Sequence, residues 1–143
     1  MDTQWIEVNE SKPDYGNQDN YPFQNETFSI IGACFEVFNE LGKGFLEVVY
    51  KDALTHEFNK RGIVFEREKK FEITYKDVKL KHFYIADFVV QSNIILEVKA
   101  QDNAVEEHYK QVLNYLAASK CKIGLIVNFG ENSLKYKRVI LSK

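Results

Sequence analysis

The sequence predicts an α/β domain in which helices pack against a mixed β-sheet. Three observations lead there. Two segments near the start carry apolar residues at helical spacing. Ile63 to Ala100 holds alternating or strongly apolar segments that read as antiparallel strands. A further helical segment then leads into one more apolar strand, Lys122 to Phe129, giving a strand–helix–strand unit. The 143 residues, 45% hydrophobic and 28% charged, suit one core of ordinary globular composition.

Residues 1–25 are expected to form a polar N-terminal tail, ordered in part, with the domain spanning 26–143. Ser11 to Asn25 is rich in Asn, Asp, Gln, Pro and Gly and reads as a linker, while Trp5, Ile6 and Val8 before it could dock on the domain. A helix begins near Thr27, with Ile31, Phe35 and Phe38 at i, i+4 and i+7 and Ile30, Cys34, Val37 and Leu41 widening the apolar face. Gly42-Lys43-Gly44 stops it, since glycine tolerates the left-handed backbone of a helix end. A second helix runs from about Leu46 to Lys60, with Val49, Ala53, Leu54 and Phe58 facing inward, and ends at Arg61-Gly62. Phe65, Phe71, Ile73 and Tyr75 are spaced for strands, Lys76-Asp77 reads as a turn, and Val78 to Leu80 starts the next strand. Strands at 84–90 and 94–100, a helix from about Ala104 to Ser119, the 122–129 strand and an edge strand from Tyr136 to Leu141 complete the order.

The chemistry concentrates in Tyr84-Ile85-Ala86-Asp87-Phe88-Val89-Val90 and Ile94-Ile95-Leu96-Glu97-Val98-Lys99-Ala100. These two β-rich runs flank Gln91-Ser92-Asn93 as a hairpin would, yet they carry Asp87, Glu97 and Lys99 among apolar residues. Glu97 and Lys99 are two apart and share a strand face. With a three-residue loop Val90 pairs with Ile94 and Asp87 falls opposite Glu97; a two-residue loop would set it opposite Val98. Cross-strand carboxylates at that spacing repel each other unless a cation lies between them, and hard cations such as Mg²⁺ are often held by only one or two carboxylates plus water. A lysine beside them can orient a water or offset phosphate charge. A Glu-x-Lys pair is also a common solvent-facing ion pair; the apolar flanks argue for a cleft instead.

Asp87 followed by Glu97-Val98-Lys99 resembles the signature of the PD-(D/E)xK nuclease superfamily. Within it, Gly44-Phe45-Leu46-Glu47-Val48-Val49-Tyr50, the His108-x-x-Gln111-x-x-x-Tyr115 helix and Asn128-Phe129 resemble the GxxExxY protein family, over about Phe28 to Leu141. The resemblance implies a restriction-endonuclease-like core and a metal-dependent nuclease that cleaves phosphodiester bonds with a metal-activated water. Asp87 and Glu97 would hold Mg²⁺ or Mn²⁺ with the Val98 carbonyl as a further ligand, and Lys99 would position the water. Glu47 would bind a second cation or an outer-sphere water; in the first turn of its helix it could equally be a dipole-favoured cap. Tyr50, on the same side, could orient Glu47. Gln111, the strongest of the three helix residues, would support the metal-bound water or phosphate, with Tyr115 and His108 contacting substrate; His108 could also be a plain surface histidine. His56 and His82 are read as structural. Ile85 and Phe38 stand where relatives often have arginine and histidine. A nuclease fold that only binds nucleic acid or protein is the alternative.

The formal net charge of −2 argues against a generic, charge-driven nucleic-acid binder. It leaves room for an enzyme whose own carboxylates add negative charge, and the expected partner is nucleic acid, DNA before RNA. Lys69 and Lys70, Lys79 and Lys81 with His82, and Lys135, Lys137 and Arg138 could reach phosphates or simply face water. Small nucleases of this type often pair, so a homodimer is among the expectations. No apolar run approaches a membrane span, no signal pattern opens the chain, and Cys34 and Cys121 read as buried free thiols, so a reducing cytoplasm is expected.

Overall fold

The computed structural model describes residues 2–8, 23–102 and 108–142. In chain order the elements are β1 (Asp2–Val8), α1 (Gln24–Leu41), α2 (Glu47–Arg61), β2 (Phe65–Tyr75), β3 (Val78–Val90), β4 (Ile94–Lys99), α3 (Tyr109–Ser119), β5 (Ile123–Asn128) and β6 (Lys135–Ser142). The strands form one mixed sheet in the order β1-β6-β5-β4-β3-β2. The β4–β5 pair is parallel and joined through α3, whereas the other pairs are antiparallel.

This is the α/β architecture the sequence predicts, with differences at the margins. The segments at 78–80 and 84–90 are one continuous β3, so β2 and β3 make a long hairpin. Lys76 and Asp77 close it with φ of 47° and 44°, the left-handed pair of a type I′ turn. The final strand was expected at an edge, but β1 pairs along it from Asp2↔Ser142 to Val8↔Tyr136 and takes the edge itself. The first residues of the expected tail therefore belong to the sheet, which satisfies backbone groups that β6 would otherwise expose. Most of the expected linker (11–22) and the first turn of the expected third helix (104–107) lie outside the described residues.

Two hydrophobic layers sandwich the sheet. On one side α1 and α2 bury Ile30, Ile31, Cys34, Tyr50, Leu54 and Phe58 against Phe88, Val90, Leu96, Val98, Leu125 and Val127. On the other, α3 sets Val112 and Leu116 against Tyr84, Ala86, Ile95, Ile126 and Val139. Gly42 and Gly62 end the two helices with φ of 67° and 70°, as read from the sequence. Both cysteines are buried free thiols, and burial pushes each up from its ordinary pKa. Among the described residues no helix is long and apolar enough to cross a membrane.

The layers meet along β3 in an unusual way. A regular strand sends residues 84, 86, 88 and 90 to one face. Here Tyr84 and Ala86 join the α3 layer, whereas Phe88 and Val90 join the α1/α2 layer. The facing strand does the same, with Phe65 in the α1/α2 layer and Phe71 in the α3 layer. Both strands change face at Glu68 and Asp87. Glu68 carries φ 57°, a conformation uncommon for a glutamate, and this local distortion accommodates the step.

Candidate active site

The step in β3 puts Asp87 at a seam between the two layers. The β3–β4 ladder runs Val90↔Ile94, Val89↔Ile95, Phe88↔Leu96, the register of a three-residue loop. One position further Asp87 meets Glu97, but no ladder pair forms there: the Val98 N–H donates instead to Asp87 Oδ2 at 2.8 Å. The strands part where the acidic pair begins, and one carboxylate takes over the lost backbone bond.

Glu97 comes from the α3 side. It is 7% exposed and accepts a hydrogen bond from the Tyr84 hydroxyl. Its pKa is pushed up to about 8, first by burial and then by the neighbouring charge of Asp87, with Tyr84 and Lys99 pulling the other way. Burial and Glu97 in turn raise the Tyr84 phenol. Tyr115, on α3, stacks on Tyr84, and Gln111 hydrogen-bonds the Tyr115 side chain. Burial and the charge of Glu97 raise the Tyr115 phenol as well.

Asp87 is also approached from the other layer. Lys51, on α2, donates to Asp87 Oδ1 at 3.1 Å and pairs with Glu68 at 2.6 Å. Burial disfavours the Lys51 ammonium, but the two carboxylates outweigh it and its pKa rises. Arg67, beside Glu68, bonds Asp52 at 2.8 Å and lies over the Phe88 ring.

The structure therefore brings together Asp87, Glu97, Val98, Lys99, Gln111 and Tyr115 from the expected set. His108 lies at the N-terminal boundary of α3, half-buried. Glu47 is not drawn into the acidic pair. It opens α2 one turn ahead of Lys51, and among the described residues no three His, Cys, Asp or Glu side chains cluster to hold an ion. Tyr50 also departs from expectation. Its ring is fully buried against Phe129, and its hydroxyl donates to Gly42 O at 2.6 Å and accepts the Phe45 N–H. It pins the α1–α2 loop rather than orienting Glu47 or meeting substrate, because the core claims the side of α2 from which it projects. Exposed His56 and His82 make no contribution to the pair.

Lys51, Glu68 and Tyr84 were missed. A helical lysine normally faces water, and no residue pattern marks a glutamate for a left-handed backbone. Lys51 does follow Glu47 by four residues, which places both on one side of α2.

The loops beyond the site are fixed by Asn128, which is fully buried. Its Oδ1 accepts the N–H groups of Gln101 and Gly130, and its Nδ2 donates to Gln101 O and Glu131 Oε2. Gly130 lies so close to the chain after Lys99 that a Cβ there would stand 2.3 Å from the Gln101 nitrogen.

The pair suits a divalent cation. Two carboxylates meet where their charges are unfavourable without one, and their remaining ligands would be backbone and water, as Mg²⁺ accepts. A mixed sheet of this order, with a carboxylate pair and a lysine where two strands part, defines the class as an α/β domain with an acidic cleft at a strand opening. The family model of the PD-(D/E)XK nuclease superfamily matches residues 24–139, and the chain belongs to that superfamily. Comparison with curated proteins gave no match, and comparison with solved structures gave none.

Proposed function

We propose that this protein is a metal-dependent nuclease of the GxxExxY type that hydrolyses nucleic-acid phosphodiester bonds with water. The meeting of Asp87 and Glu97 where the β3–β4 ladder opens, with Lys99 on the face of Glu97, carries this reading. Asp87, Glu97 and the Val98 carbonyl would hold Mg²⁺ or Mn²⁺. When bound, such an ion would offset phosphoryl charge and make water a better nucleophile. Lys99 donates hydrogen bonds that orient the attacking water and stabilise developing negative charge. Tyr84 holds Glu97 through its hydroxyl, and Lys51 and the Val98 N–H hold Asp87. Gln111 and Tyr115 place the substrate from α3, with His108 at its start, and Glu47 steadies an outer water. DNA is the preferred substrate in this reading, a homodimer its working form, and the cytoplasm its compartment.

Titration of Mn²⁺ into the wild type and an Asp87→Ala/Glu97→Ala double variant, followed by cleavage assays, tests the assignment. Heat of binding is expected in the wild type alone. Lys99→Ala should retain metal affinity and lose turnover, whereas Asp87→Ala should lose both. Cleavage retained by either would overturn the roles given. One observation favours a second reading, a nuclease fold that binds nucleic acid without cutting it. Lys51 already supplies a positive charge to Asp87. Under that reading Mn²⁺ gives no heat with the wild type in the presence or absence of an oligonucleotide.

A further inference from the structure

The β2–β3 hairpin runs past the helices and ends in open solvent. Along its outer part every β3 residue from Val78 to Phe83 is exposed. Because of the step at Asp87, Phe83 and Ile85 point to the α2 side of the sheet, the side from which Lys51 reaches Asp87. Among the described residues no helix covers them, and each is 46% exposed. Lys70 pairs across the strands with Ile85, and its ammonium lies 4.2 Å from the centre of the Phe83 ring. Charge follows the same ribbon. Residues 69–83 hold five lysines, at 69, 70, 76, 79 and 81, against Glu72 and Asp77, a net of +3 in a chain whose formal charge is −2.

We infer that this ribbon face is a binding track for unpaired nucleotides leading to the carboxylate pair, with a base stacked on Phe83 and phosphates near Lys70 and Lys81. The inference rests on the nucleic-acid reading of the site and adds the strandedness of the substrate and its path. An aromatic ring backed by a cation offers a stacking platform, which every base can use and which duplex pairing hides. Ile85 extends the platform toward the site. At about 3.3 Å per residue, Phe83 lies about 13 Å along the strand from Asp87. With bases stacked about 3.4 Å apart, this sets the platform some four nucleotides from the bond at Asp87.

The test is fluorescence anisotropy in EDTA, with a labelled single-stranded 20-mer as DNA and as RNA, and the corresponding DNA duplex. Wild type, Phe83→Ala and Lys70→Ala are compared, with thermal melts to confirm folding. The wild type should prefer single strands, and Phe83→Ala should weaken that binding about tenfold, the loss of one stacked base. Lys70→Ala should reduce the slope of log K against log salt by about 0.7. Equal binding by all three proteins, or a preference for duplex that Phe83→Ala leaves intact, overturns the track. A dimer in sedimentation that Phe83→Ala dissolves also overturns it, making the face a contact between copies. The same variants are then assayed with Asp87→Ala in Mn²⁺. Hairpin variants that bind normally beside an inactive Asp87→Ala sink the track and leave the nuclease reading standing. Hairpin variants that fail to bind beside an active Asp87→Ala do the reverse.

Discussion

Glu97→Gln should make the metal-free protein more stable in alkaline solution while removing a residue assigned to the metal. The carboxyl of Glu97 is raised from 4.5 to about 8. Between those values the folded chain keeps a proton that the unfolded chain has released. Its contribution to stability is therefore complete below pH 4.5 and is lost as pH rises to 8. A gap of about 3.5 pH units at about 1.4 kcal/mol each caps that loss at about 5 kcal/mol. Structural relaxation and water entry bring the expected figure nearer 2 kcal/mol. Glutamine avoids the cost, since it carries no charge and keeps an Oε1 to accept the Tyr84 hydroxyl. Paired thermal melts in EDTA at pH 4 and pH 9 read the effect. The variant should match the wild type at pH 4 and melt about 6 °C higher at pH 9. Added Mn²⁺ at pH 9 should then raise the wild-type midpoint and leave the variant unmoved. A difference that does not change with pH, or a variant less stable at pH 9, refutes the reasoning.

Lys51→Met leaves Asp87, only 16% exposed in its side chain, with the Val98 N–H but without the ammonium that pairs with it. The metal-free protein should lose about 2 kcal/mol, between the values of surface and buried pairs, and an unchanged urea midpoint would show the pair to be inert. Gly130→Ala pushes a methyl group into the backbone around Gln101, so a loss of about 3 kcal/mol is expected. Chemical denaturation checks this, and a loss under 0.5 kcal/mol would mean that the loop gives way easily.

The core of the fold was legible because its buried strands are written almost entirely in Ile, Val, Leu and Phe. The break at Gln91-Ser92-Asn93 left two registers open, and the structure takes the three-residue loop that brings Asp87 to Glu97. The partners of those carboxylates were less legible for physical reasons. Lys51 is close in space to Asp87 but 36 residues away in the chain, and nothing in its own helix distinguishes it from a solvated lysine. Tyr84 looked like one more apolar strand residue, since its role depends on the strand changing face three residues later. β1 was read as part of a tail because a polar stretch separates it from the domain, and its partner lies at the opposite end of the chain.

That change of face works like a tooth skipped on a ratchet. Had β3 kept its two-residue pitch, Tyr84 would have turned toward α2, away from Glu97. Phe83 and Ile85 would have turned to the side covered by α3. Skipping one tooth gives the acid a phenol and gives the solvent an apolar row. Chemistry and docking surface are thus geared to one irregular residue pair, Glu68 and Asp87. A proline or an insertion that reset the pitch there would disconnect both at once and pull Tyr84 and Ala86 out of the layer under α3.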